Sequence, residues 1–176
     1  MDQQQRAEFE RLVATRTSAL VRTAYLMTGD WQQAEDVVQT ALAKTYLRWH
    51  RLRDPAAAEA YTRTVLARAC TRAWRRRWRG EVPTLDVPDV AGADGSAATD
   101  ERVVLARALS SLPAPHRAVL VLRFYEDMSE AETARLLGCA VGTVKSRTSR
   151  ALAALRDSGL VDTAAFTRAV PLEETP

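Results

Sequence analysis

Residues 129–156 read SEAETARLLGCAVGTVKSRTSRALAALR, and this stretch decides the fold. Ser129 and Glu132 stand at capping-box spacing, so a helix starts there. Ala131, Ala134, Leu136 and Leu137 supply its buried side. Gly138-Cys139-Ala140 is a short turn, after which Val141, Val144, Thr148, Ala151, Leu152 and Leu155 resume the helical period. Two helices about a glycine turn, with small Ala134 where they must approach, describe a helix-turn-helix. The second helix opens with Thr143, Lys145, Ser146 and Arg147, followed by Ser149 and Arg150. Short hydroxyls and cations near the start of such a helix suit the major groove, where they meet base edges and phosphates. These six residues are the candidate contacts to double-stranded DNA.

Working upstream, Val103, Val104, Ala108, Leu109 and Leu112 give residues 102–111 an apolar side. Pro113-Ala114-Pro115 breaks that helix, and another apolar helix is expected over His116–Tyr125. Residues 80–100, GEVPTLDVPDVAGADGSAATD, hold three glycines, two prolines, five acidic residues and no basic one. No helical or strand period survives there, so the segment reads as a flexible acidic linker. The expected organisation is all-α. A helical bundle spans 1–79, the linker 80–100, a helix-turn-helix domain 101–159 and a short tail 160–176.

The first bundle is delimited by its punctuation. Phe9, Leu12, Val13, Leu20, Ala24 and Met27 recur at helical spacing until Thr28-Gly29-Asp30. Gly29 suits a left-handed helix end, and Asp30 is a cap with Gln33 as its capping-box partner. The second helix runs to about Arg48, with Val37, Val38, Ala41, Leu42 and Tyr46 on its apolar side. A basic loop, Trp49-His50-Arg51-Leu52-Arg53, ends at Asp54-Pro55, a cap followed by a first-turn proline.

The third helix carries the other chemical signal. Between Arg63 and Arg79 there are seven arginines and no acidic residue. Arg68, Arg72, Arg75 and Arg79 form one stripe, with Arg76 beside it and Tyr61 on the same side near the helix start. A guanidinium stripe headed by an aromatic ring fits a nucleic-acid backbone, the ring stacking on an unpaired base.

Composition excludes several classes. No run approaches the ~18 apolar residues of a membrane span, and the opening MDQQQRAEFE is too polar for a signal peptide, so a cytoplasmic protein without membrane insertion is expected. Cys70 and Cys139 stand far apart, with no metal-ligand grouping. His50 and His116 fall in different segments, and no paired carboxylates or phosphate-binding glycine loop appear. No enzyme activity, metal or cofactor is therefore expected. A free-standing helix-turn-helix regulator would explain residues 101–157 but not the arginine stripe.

Together the motifs resemble bacterial RNA polymerase sigma factors of the extracytoplasmic-function (ECF) type. LMTGDWQQAEDVVQTALAKTYLRW is similar to the family's second conserved region through Gly29-Asp30, Ala34-Glu35-Asp36 and Gln39. Residues 112–156 are similar to the fourth region, with Gly142–Arg147 reading GTVKSR. The resemblance implies an alternative transcription initiation factor that binds core RNA polymerase, melts the minus-ten element and reads the minus-thirty-five element. It further implies docking of Glu35, Asp36, Gln39 and Leu42 on the polymerase clamp. It assigns base capture to the loop Trp49–Asp54, with Trp49, Arg51, Arg53 and Asp54 as candidates. An anti-sigma factor is a plausible partner for such a chain. The sequence departs from the family habit at Thr64, Arg68 and Ser149, which replace a frequent arginine, asparagine and histidine respectively.

Overall fold

The computed structural model describes residues 3–52, 54–77 and 97–159, with side chains described over 3–52, 54–73 and 104–159. Two compact units are present, Met1–Asp86 and Val87–Pro176. Every regular element among the described residues is helical. The linker expected at 80–100 lies outside the described residues as far as position 96, and so does the tail from 160.

In the first unit, α1 (Gln3–Thr28), α2 (Trp31–Arg48) and α3 (Pro55–Arg77) pack on one another, with a 3-10 turn at Trp49–Arg51. Gly29 ends α1 at φ 72°, its amide donating to Tyr25 O at 2.8 Å. The Asp30 carboxylate accepts from Gln33 N at 2.8 Å and so caps α2. The reciprocal half of the expected capping box is filled differently, because Asp30 N donates to the Thr28 hydroxyl. At α3, Asp54 Oδ1 accepts from Ala57 N at 2.7 Å ahead of Pro55.

The core of this unit is built from small residues. Ala24, Ala34, Ala41, Thr45 and Ala58 are all fully buried, and Thr62 and Leu66 nearly so. Small side chains let helices approach closely, and here two hydroxyls meet across the gap. Thr45 Oγ1 lies 2.9 Å from Thr62 Oγ1, while each also lies within 2.9 Å of its own helix's carbonyl, Ala41 O and Ala58 O. A hydroxyl carries one proton and two lone pairs, so two protons serve three short contacts and at least one is shared. Cys70 is buried nearby in sequence on α3, and burial pushes its thiol up to about 12. Cys139, in the second unit, is only half-buried, and both cysteines are free.

The second unit comprises α4 (Ala97–Ser110), α5 (Ala114–Leu120), a π-helical turn (Val121–Tyr125), α6 (Glu130–Leu137) and α7 (Val141–Ser158). Helix α4 takes in the last four residues of the expected linker, 97–100, where Ala97 and Ala98 favour helix. The helix expected over His116–Tyr125 changes character half-way. Glu126 N donates to Val121 O, five residues back, at 3.0 Å. Val119, Leu120, Val121 and Leu122 are all buried, so this segment is enclosed on every side and forms the middle of the unit. Beyond it Asp127 takes φ 50°, and the Arg123 guanidinium donates to Met128 O.

The helix-turn-helix forms as the sequence predicts. Ser129 Oγ accepts from Glu132 N, and Glu132 Oε2 accepts from Ser129 N at 2.9 Å. These hydrogen bonds hold the Glu132 carboxyl below its ordinary range. Gly138 ends α6 at φ 65°, where a side chain would be strained although its surroundings are open.

The shared protons of Thr45 and Thr62 generate a measurable coupling. Thr45→Val and Thr62→Val are each expected to cost about 1 kcal/mol, and the double variant clearly less than their sum. Trp31, Trp49, Trp74 and Trp78 all precede residue 80, so tryptophan fluorescence during urea unfolding reads the first unit alone. Strict additivity would mean the two hydroxyls are not paired.

Candidate nucleic-acid and polymerase interfaces

Helix α7 sorts its residues cleanly. Val144, Ala151 and Leu155 are buried, which anchors the helix against α5 and α6. Lys145, Ser146, Ser149 and Arg150 are exposed, and Thr143 and Arg147 are half-buried. Ser146 Oγ donates to Thr143 O at 3.1 Å, so its lone pairs remain outward. Lys145 Nζ lies 3.7 Å from Glu130 Oε2, a loose and exposed pairing that costs little to break. A Cβ built on Gly142 would meet nothing within 4 Å, so packing within the protein does not require glycine there.

His116 on α5 also belongs to this surface. Burial, then the positive charges of Arg147 and Arg150, hold its pKa below the usual 6.5. The sequence alone gave His116 no role, because its neighbours in space lie some thirty residues away along the chain.

On α3, Arg68 and Arg72 are exposed and Tyr61 is half-buried on the same side. Arg75 and Arg76 lie within α3, but their side chains are outside the described ones, and Arg79 is beyond them altogether. Arg63 is set apart from the stripe. It pairs with Glu59 at 3.0 Å, and Glu59 also binds Arg16 of α1 at 2.9 Å. That bridge secures the start of α3 against α1.

The loop before α3 corrects the sequence reading. Trp49 is only 5% exposed and packs with Leu12 and Ala58, its ring edge-on to Phe9 at 5.3 Å. It is a core residue, because the 3-10 turn rotates its indole inward while the polar neighbours stay out. Arg51 is exposed and donates to His50 at 3.2 Å. Asp54 is exposed but committed to capping α3, and Arg53 lies outside the described residues.

On α2, Glu35, Asp36 and Gln39 are exposed. Glu35 accepts from Trp31 Nε1 at 3.0 Å, and Trp31 in turn sits edge-on to Tyr25. Leu42 is half-buried and packs against the Leu12–Trp49–Ala58 cluster, on the apolar side of α2 that its spacing predicts. Leu47, which the sequence reading passed over, is 72% exposed. It follows Asp36 by eleven residues, three helical turns, and so shares its face.

Comparison with known proteins accounts for both units. Residues 12–80 match the model of Sigma-70 region 2, and residues 102–155 match that of Sigma-70, region 4. The RNA polymerase sigma-E factor of Streptomyces antibioticus is 45% identical over 150 residues, which cover 85% of this chain and 83% of that protein. The chain belongs to the ECF-type RNA polymerase sigma factors. The ECF RNA polymerase sigma factor SigL of Mycobacterium tuberculosis is 40% identical over 145 residues, covering 79% of this chain and 81% of its own. Among solved structures, CnrH in complex with the cytosolic domain of CnrY matches with a TM-score of 0.54 at 29% identity, covering 85% of this chain and 86% of that one. This alternative sigma factor thus binds core RNA polymerase and directs it to promoters. Among the described residues no helix is long and apolar enough to cross a membrane, and no group of three or more His, Cys, Asp and Glu is placed to hold a metal ion.

The His116 environment makes this sigma factor acid-sensitive in a definite direction. A base with a lowered folded pKa takes up its proton more readily when unfolded. Its stabilising share is therefore complete above about pH 6.5 and is lost as the pH falls below that value. His116→Gln is expected to lose less melting temperature between pH 7.5 and 5.5 than the wild type, followed by circular dichroism. Equal losses would remove His116 from this account.

Proposed function

We propose that the sigma factor divides its work among three faces. The outer face of α2, with Glu35, Asp36 and Gln39, docks on the polymerase clamp. Tyr61 with Arg68 and Arg72, continued by Arg75, Arg76 and Arg79, holds the unpaired strand of the minus-ten element. Thr143, Lys145, Ser146, Arg147, Ser149 and Arg150 on α7 read the minus-thirty-five element, and Arg51 and Arg53 add charge beside the melted strand. The boundaries 1–79, 80–100, 101–159 and 160–176 express this division along the chain.

One observation carries the reading of α7. A helix that buries Val144, Ala151 and Leu155 leaves cations and hydroxyls on its free side at the spacing a major groove requires. The α2 face is supported by Leu47, an exposed apolar residue three turns along the same face from exposed Asp36. Apolar anchors ringed by polar groups are common where proteins bind one another. The protein works in the cytoplasm as an initiation factor with no catalytic group of its own. The complex of CnrH with the cytosolic domain of CnrY supports a protein regulator, an anti-sigma factor, for this chain as well.

Run-off transcription with purified core polymerase and a genomic template library tests the function and identifies the promoters. Asp36→Arg is expected to weaken co-purification with core polymerase while leaving the DNA affinity of the second unit intact. Co-purification equal to the wild type would move the docking face elsewhere.

The stripe has its own signature. Each lost contact to a single-stranded phosphate lowers the slope of log affinity against log salt by about 0.7. Arg68→Ala with Arg72→Ala should therefore flatten the salt dependence of open-complex formation by roughly 1.4. An unchanged slope would leave both arginines as solvated surface.

A further inference from the structure

Arg48 is the last residue of α2, and its side chain is exposed. Its guanidinium carbon stands over the ring of Tyr61 at 5.6 Å from the centroid. The two residues are thirteen apart on different helices, so the contact depends on the close approach of α2 and α3. It is also held from below. Trp49, the next residue, is buried in the core and opens the 3-10 turn, which fixes the backbone from which Arg48 projects. No carboxylate is ion-paired to this guanidinium among the described residues. Tyr61 points to the side of α3 that carries Arg68 and Arg72, seven and eleven residues further on.

We propose that Arg48 is a further contact to the unpaired DNA strand, its guanidinium binding the backbone phosphate of the nucleotide whose base stacks on Tyr61. The inference rests on the reading of Tyr61 as a stacking platform. A phosphate lies one sugar away from its base, within the swing of an arginine already parked at the ring. An exposed cation–π contact is weaker than a charge-assisted bond to phosphate, so transfer of the guanidinium from ring to phosphate is favourable. The ring then becomes free for the base. Arg48 therefore extends the positive stripe of α3 onto α2, the helix that also carries the polymerase-facing side chains.

The test uses holoenzyme reconstituted from core polymerase and the full chain. The probe is a fluorescent single-stranded oligonucleotide of the non-template minus-ten element, from a promoter found by run-off transcription. Arg48→Ala is expected to weaken probe binding about tenfold and to lower the salt slope by about 0.7, while Arg48→Lys keeps the slope. The unfolding midpoint of Arg48→Ala, read by tryptophan fluorescence, checks that the first unit stays folded. Tyr61→Ala is measured in parallel. If Tyr61→Ala weakens binding but Arg48→Ala leaves the slope unchanged, the Arg48 contact is wrong and the stacking platform stands. Tighter binding by Arg48→Ala would make the arginine a cover over the ring, and the proposal would be overturned. If Tyr61→Ala binds like the wild type, the platform itself fails and takes the Arg48 contact with it.

Discussion

The first unit depends on how near α2 and α3 can come to each other. Thr45 and Thr62 set that distance, because their hydroxyls are hydrogen-bonded at 2.9 Å and neither is exposed. A pair of leucines at these positions would hold the axes farther apart, and the Arg48–Tyr61 contact would open. The two outward surfaces are consequences of the same inward one. Asp36 and Gln39 project from the far side of α2, Arg68 and Arg72 from the far side of α3, and a rotation of either helix about the threonine contact would re-aim its cargo. Polar atoms serve this purpose better than methyl groups, since a hydrogen bond has a preferred length and direction while apolar contact slides.

The second unit solves a related problem by opposite means. Its middle is a segment of large aliphatic residues, Val119–Leu122, buried on all sides. Four consecutive buried residues leave this stretch no face for water, and from Val121 to Tyr125 the helix continues as a π turn. Against this rigid centre α7 lays Val144, Ala151 and Leu155, leaving its other side unencumbered. Preorganisation of α7 thus comes from the residues it buries.

What could be read directly from the sequence follows from the range of the forces involved. Caps and turns are local, so Asp30, Asp54, the Ser129–Glu132 box, Gly29 and Gly138 were legible from neighbours three or four residues away, and the structure realises each. The faces of α3 and α7 were legible from helical periodicity. Trp49 was not, because an aromatic residue at a helix end turns inward or outward according to what packs beneath it, here Leu12 and Ala58 from two other helices. The π turn was hidden as well, since no residue type in Val121–Tyr125 marks it. Arg48, Glu59 and His116 all act through partners distant in sequence, and a single chain read linearly carries no sign of those meetings.

The two thiols differ in a way that the fold alone creates. Cys70 is sealed in α3 with its proton held to about 12, whereas Cys139 is half-buried in the turn between α6 and α7. A maleimide must reach a thiol to attack it, so the native protein offers the half-buried Cys139 ahead of the buried Cys70. Cys139 adjoins α7. A dye placed there without altering a single codon would mark the second unit alone, and would lose that selectivity once the first unit opened and bared Cys70.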